Sequence, residues 1–461
     1  MSTTWFVPRS DLSDDQLRAV ELTAHHHCLI LGAPGSGKTL VLLHRARRMI
    51  EEEGVRPDRL RIFVFTNTLK DYIRSALGLL DIPEECVVTF DHWCREFYTT
   101  FVRRRVPFAK RQPDFDAIRE GVLAKLQGGS RLTALGDSRT RNDGAVQDNL
   151  FGEDDAPEVE TAQGEFPEFF AKVIGCPLYD AVLVDEGQDL TAEAFEILRR
   201  ISAHVTACMD AKQQLYEMRC GEPEILHTLG LQKCNMTILG TYRCCPYITD
   251  LAARLLRDDA EREAFLNQTR TEQRERLTPL LYIGANAQEE KARIVQIIRD
   301  RQLTGDRIAV LMPNNAKLFS LAKTLTGAGL EVEVPSKARN TDYLTHDFQT
   351  ERPKLMTYYG AKGLTFETVI MPRLVNTSFL QVAARRLEKL LFVGMTRATQ
   401  WVYMSTVEGQ IPPVVVELAT LEREGTMTIQ RSGDDLPLFG SRKATTPSQD
   451  EVTVDSLTDL F

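Results

Sequence analysis

The stretch "LILGAPGSGKT", residues 29–39, decides how the rest of the chain is read. It fits the pattern G-x-x-x-x-G-K-[ST] through Gly32, Gly37, Lys38 and Thr39, with Gly35 inside the loop. Glycines at this spacing let backbone N–H groups turn inward around phosphate oxygens. The apolar run "CLILG" before it predicts a strand, and "TLVLLHRARRMI" after it predicts a helix whose positive end faces the same anion. Lys38 is then placed to reach the β- and γ-phosphates, and Thr39 to offer a hydroxyl to Mg²⁺.

A nucleotide loop of this kind needs a second acidic motif on a neighbouring strand, and "YDAVLVDEGQD" (179–189) supplies one. Asp185 is the candidate Mg²⁺ ligand, and Glu186 the candidate base for the attacking water. Both are expected at the C-terminal edge of a parallel strand beside the loop, where ligands bind in open α/β sheets. A helix-capping role for Asp189 is compatible with this.

The bulk numbers agree with a soluble α/β protein of two or three domains. The chain has 461 residues, 43% hydrophobic and 26% charged. No run of 18 apolar residues predicts a membrane span, and the first residues, "MSTTWFVPRSDLSDD", lack a signal-peptide layout. Nine scattered cysteines without a CxxC pair argue against zinc and disulfide frameworks, so a cytoplasmic setting is expected. His25-His26-His27 cannot all face one ion. The net charge of −9 is segregated: "RRRVPFAKR" (103–111) is basic and a candidate phosphate-backbone contact, while 142–165 and the last thirty residues are acidic.

Beyond these two motifs, the order of the remaining boxes resembles the UvrD/Rep/PcrA-type helicases of superfamily one. "DEGQD" is similar to that family's D-E-x-Q-D box. "LSDDQLRAV" resembles its glutamine motif, which implies that Gln16 reads the adenine edge. "FVFTNTLKDYIR" and "VVTFDHWC" resemble its first DNA contacts, which implies roles for Phe65, Thr66, Asn67, Thr89 and His92. "MDAKQQLYEMR" resembles motif III, with Gln213 as γ-phosphate sensor and Tyr216 and Arg219 toward DNA. "LGTYRCCPYI" places Tyr242 beside adenine and Arg243 on the γ-phosphate. "TYYGAKGLTFETVIM" resembles motif V, with Thr357 toward DNA and Gly363 toward nucleotide. "EKLLFVGMTRAT" resembles motif VI, with Arg397 as a second arginine finger. Departures are also visible: Leu40 stands where an Arg packs on adenine, Thr365 where a Glu contacts ribose, Met218 where a ring stacks on a base, and Asp91 where the DNA box often has His.

The resemblance implies two RecA-like domains with parallel sheets and a nucleotide cleft between them, working on ATP and Mg²⁺. Residues 1–235 are expected to form the first domain, interrupted by an insertion at 96–169 that includes a mobile loop. Residues 236–415 form the second, without the family's large insertion between motifs IV and V. Residues 416–461 form a tail. Its "DDLPLF" and "SLTDLF" fragments resemble sliding-clamp-binding peptides, with Leu436, Leu438, Phe439, Leu460 and Phe461 as anchors for a clamp or nuclease partner. The activity implied is 3′–5′ translocation on single-stranded DNA in repair, replication or anti-phage defence. The other reading is an ATP-gated recruiting subunit of a nuclease or repair complex.

Overall fold

The computed structural model describes residues 5–109, 112–128, 177–210, 221–231, 236–239, 245–268, 277–335, 343–379, 382 and 384–434. Gln213, Tyr216, Arg219, Tyr242, Arg243 and the tail anchors Leu436, Leu438, Phe439, Leu460 and Phe461 lie outside the described residues. So does most of the expected mobile loop.

The first lobe begins with α1 (Asp14–Val20), started by a reciprocal capping box between Ser13 and Gln16. Strand–helix units follow: β1 (Cys28–Gly32) and α2 (Lys38–Glu51), β2 (Leu60–Val64) and α3 (Asn67–Leu77), β3 (Val87–Thr89) and α4 (Phe90–Phe101). A short antiparallel pair, β4 (Phe108–Ala109) and β5 (Gln112–Pro113), precedes α5 (Phe115–Gln127). The lobe then runs through β6 (Tyr179–Val184), α6 (Ala192–Ile201), β7 (Ser202–Met209), α7 (Glu222–Leu229) and β8 (Met236–Leu239). Among the described residues the sheet has six strands in the order β3-β2-β6-β7-β1-β8, all paired parallel. Its strands are near-continuous apolar runs, because helices cover both faces.

The second lobe repeats the scheme. Its elements are α8 (Pro246–Ala253), α9 (Asp259–Gln268), β9 (Leu280–Gly284), α10 (Ala287–Leu303), β10 (Ile308–Met312), α11 (Asn315–Gly327), β11 (Glu333–Val334), β12 (Leu344–Thr345) and β13 (Lys354–Thr357). These are followed by β14 (Phe366–Met371), α12 (Ala384–Met395), β15 (Ala398–Val407), α13 (Pro413–Ala419) and β16 (Thr428–Arg431). Among the described residues eight strands run parallel in the order β12-β11-β13-β10-β14-β15-β9-β16. Two parallel sheets, each wrapped by helices, make two RecA-like lobes of one α/β architecture.

Three expectations shift. The first lobe extends past residue 235, because β8 pairs with β1 from Leu29↔Met236 to Gly32↔Leu239. The second lobe extends past 415, because β16 pairs with β9 from Thr428↔Leu280 to Arg431↔Ile283. The acidic strand is not next to the phosphate-loop strand, since β7 lies between β6 and β1. Where described, the insertion holds the end of α4, the β4–β5 pair and α5, whose Ile118 and Val122 are fully buried in a core shared with Phe97 and Phe101 of α4 and Phe195 and Leu198 of α6. One apolar cluster runs through both lobes, joining Ile30 and Leu183 of the first to Leu311 and Met404 of the second.

Candidate nucleotide site

The loop between β1 and α2 is shaped by its glycines. Gly35 and Gly37 have φ of 75° and 81°, a region that a side chain disfavours. A Cβ at Gly32 would lie 2.3 Å from Ser36 Oγ, and one at Gly37 would lie 2.5 Å from Gln16 Nε2. The Gln16 amide is engaged within the protein. Its Nε2 donates to the Ser36 carbonyl at 2.9 Å, and its oxygen accepts the Ser13 N–H at 3.0 Å. Gln16 therefore braces the loop from below. Lys38 is buried and folded over its own loop, donating to the carbonyls of Gly32 (2.9 Å) and Ala33 (3.2 Å). Asp210, at the end of β7, stands 3.9 Å away.

The acidic motif meets this loop although its strand is one removed. Thr39 Oγ1 donates to Asp185 Oδ2 at 2.6 Å. Burial, then the neighbouring Glu186 charge, raise the Asp185 pKa to about 6. Glu186 behaves in the opposite sense. Burial opposes its ionisation, but the charges of Lys362, Lys38 and Arg397 outweigh that and hold its pKa below the ordinary carboxylate value. Hard oxygen donors on Thr39 and Asp185 suit Mg²⁺. The buried Ser36 hydroxyl, with no hydrogen-bond partner among the described residues, suits a phosphate oxygen in the cradle.

The second lobe closes over this end of the first. Gly35, Gly37, Lys38, Thr39 and Glu186 face Gly363, Thr365 and Arg397 across a cleft. Trp5, Leu40 and Tyr72 complete its walls. Gly363 has φ of 80°, and a Cβ there would lie 3.0 Å from Leu69 and 3.5 Å from Glu186 Oε1. The Arg397 guanidinium is held by the carbonyls of Val393 (3.1 Å) and Leu364 (3.3 Å). Thus Gly35, Gly37, Lys38, Thr39, Glu186, Gly363 and Arg397 converge, with Asp185 bonded beneath.

Two residues that matter here were not singled out from sequence. Lys362 Nζ reaches across from the second lobe to both oxygens of Asp189, each at 2.7 Å, and to Glu186 Oε2 at 3.7 Å. Asp189 is fully buried by this pair, and the helix cap of α6 falls to Thr191 instead, whose hydroxyl accepts the Ala194 N–H at 3.3 Å. The signal was a lone lysine in the otherwise uncharged "YYGAKGL". Trp5 is the other, and nothing periodic in the sequence marks it.

The expected DNA contacts that are described lie at or just past C-terminal strand ends. Phe65, Thr66 and Asn67 follow β2, Thr89 ends β3, His92 is in the first turn of α4, and Thr357 ends β13. Asn67 is exposed, Thr89 is buried, and Thr66 caps α3 through the Leu69 N–H at 3.1 Å. His92 Nε2 lies 3.1 Å from Glu96, and Asp91 pairs with Arg119 at 2.8 Å. Arg103, Arg104 and Arg105 are exposed beside Phe108, which is 64% exposed.

Two parallel lobes with a phosphate loop and acidic pair facing an arginine across a cleft define a P-loop fold of the two-lobed, RecA-like class. Residues 12–140 match the UvrD/REP helicase N-terminal domain, the likeness that the order of the sequence boxes also carries. A Bacillus subtilis (strain 168) protein named "Putative ATP-dependent DNA helicase YjcD" is 36% identical over 90 residues, 19% of this chain and 12% of that one. The match thus spans about an eighth of that relative's length. The crystal structure of a C-terminal domain from a Lactobacillus (strain WCFS1), titled as a possible DNA helicase, aligns at 17% identity with a TM-score of 0.31. It covers 41% of this chain and 99% of that one.

Proposed function

We propose that the chain is an ATP-driven motor that tracks along single-stranded DNA, 3′ to 5′ by its family resemblance. The observation that carries this reading is the cleft: hydrolytic side chains of the first lobe face Arg397 and Gly363 of the second. Hydrolysis and relative lobe movement are thereby coupled through one space.

In this mechanism the loop amides and Lys38 hold the β- and γ-phosphates. Thr39 and Asp185 would hold Mg²⁺, which when bound offsets charge on the phosphate oxygens. Glu186, ionised at neutral pH, orients water and takes its proton. Arg397, with Arg243 beyond the described residues, meets charge developing on the transferred phosphoryl group. Thr66, Asn67, His92 and Thr357 offer backbone contacts to the strand, and exposed Arg103 and Arg105 extend that basic path. The proposed setting is a cytoplasmic DNA-repair or defence pathway, with the tail hooking a clamp or nuclease.

A specific observation favours the recruiting role as a second reading. Among the described residues, those from 245 to 357 are taken up by the second lobe's own sheet and covering helices. Steady-state ATP hydrolysis with and without single-stranded DNA at low salt tests the motor. Strong stimulation by DNA over RNA is expected. Flat, DNA-independent turnover would overturn the motor reading in favour of partner-gated action.

A further inference from the structure

We infer that Trp5, together with Leu40, forms the wall against which the base of the bound nucleotide seats. The inference rests on the nucleotide reading of the cleft and adds a residue ahead of every motif used so far. Its first support is position. Trp5 and Leu40 line the same cleft as Lys38, Glu186 and Arg397. The phosphate end of that cleft is fixed by the loop amides and the acidic pair. A nucleotide runs from phosphate through ribose to base, so its base must lie at the other end. Besides the groups that meet phosphate, the cleft is lined by Thr365 and by the apolar surfaces of Leu40, Tyr72 and Trp5.

The second support is what else could hold the base among the described residues, which do not include Tyr242. The Gln16 amide, the natural edge reader, already uses its oxygen on the Ser13 N–H and one N–H on the Ser36 carbonyl. Position 40 carries leucine, which has no charge or π-face to set against a base. An indole supplies the largest such face, and stacking on it suits any base.

The third support is preorganisation. Trp5 is 6% exposed, and its Nε1 donates to Ser75 Oγ at 3.2 Å. Its ring stacks on Tyr72, with centroids 4.2 Å apart and planes 18° from parallel. Tyr72 in turn meets Phe348 of the second lobe edge-on at 5.1 Å. The indole is thus held in place before any ligand arrives, and the stack links it to the lobe that closes over the cleft.

The chain's tryptophans make a direct test. It has three, and Trp93 and Trp401 are 2% exposed in cores away from the cleft. The full chain is titrated with ADP and Mg²⁺, read by tryptophan fluorescence and, in parallel, by calorimetry. A saturable fluorescence change is expected. In Trp5→Phe that change should vanish while ADP still binds, and in Trp5→Ala the ADP affinity should fall about tenfold. Tripolyphosphate, which has phosphates and no base, should bind wild type and Trp5→Ala alike. ADP binding by calorimetry with a fluorescence change that survives Trp5→Phe would overturn the inference and leave the nucleotide reading standing. Loss of tripolyphosphate and ADP affinity together in Trp5→Ala would make Trp5 a structural residue and also overturn it. No ADP binding to the wild-type chain would overturn the nucleotide reading itself, and the inference with it.

Discussion

Glu186 sits at φ 55°, a left-handed conformation that few non-glycine residues adopt. Such a backbone costs roughly 1–3 kcal/mol and persists only where surroundings hold it. Here they do: Gln188 donates to its carboxylate, and the Asp185 side chain accepts its N–H at 3.0 Å. The turn aims the carboxylate into the cleft rather than back along β6. Glu186→Gln keeps the shape and removes the proposed base. Single-turnover hydrolysis should slow by about 10²–10⁴-fold while ADP affinity stays within a few-fold. Near-normal turnover would remove Glu186 from that role. At this scale the sequence was informative wherever spacing alone fixes chemistry, as in Gly32 to Thr39 and Asp185-Glu186. It was silent where a residue's role depends on a partner far along the chain. Lys362 lies 173 positions from Asp189, and no local pattern announces that contact.

Between α2 and β7 the element scale shows a buried polar cluster. Arg45 is fully buried, and its guanidinium donates to Thr206 Oγ1 at 2.9 Å and to the Val20 carbonyl at 3.1 Å. His204 lies against it, its Nε2 2.7 Å from the same Thr206 hydroxyl. Burial, then the Arg45 charge, push the His204 pKa down to about 3. Its neutral form is therefore favoured by folding. The unfolded chain takes up this proton near pH 6.5 and the folded chain only near pH 3. Stability from His204 is present above pH 6.5 and is lost progressively as pH falls toward 3. Thermal unfolding should show a steadily falling midpoint across that window, and His204→Gln should flatten the slope. An unchanged slope would assign the acid lability elsewhere. Long apolar strands such as β1, β6 and β10 were legible as runs of burial. β3, β8 and β16 were not, because three or four residues carry no periodic signal and their place depends on a neighbour.

Across the whole molecule, Lys362 ties the second lobe to the acidic motif of the first. All three partners are at most 4% exposed. Removing one member of a buried pair leaves an uncompensated charge, at roughly 3–5 kcal/mol. Lys362→Met should therefore lower the thermal midpoint and slow hydrolysis, because it also frees Glu186. Adding Asp189→Leu should restore stability without restoring turnover, since the stranded Asp189 charge is gone but the Lys362 contact to Glu186 is not regained. Full recovery of both would make the pair structural only. Lobe boundaries were the least legible part of the sequence. Pairing of β8 with β1 and of β16 with β9 is decided in space, across gaps of about two hundred and about one hundred and fifty residues.

The apolar cluster that passes from Ile30 and Leu183 into Leu311 and Met404 bears on any attempt to cut the chain. An excised first lobe would expose the apolar side chains that meet the second, such as Leu69 beside Gly363 and Tyr72 against Phe348. That surface would be greasy, contiguous and shaped to fit something no longer there, the usual recipe for aggregation in a fragment that is otherwise correctly folded. The two lobes are better handled, expressed and mutated as one object than as a pair of separable modules.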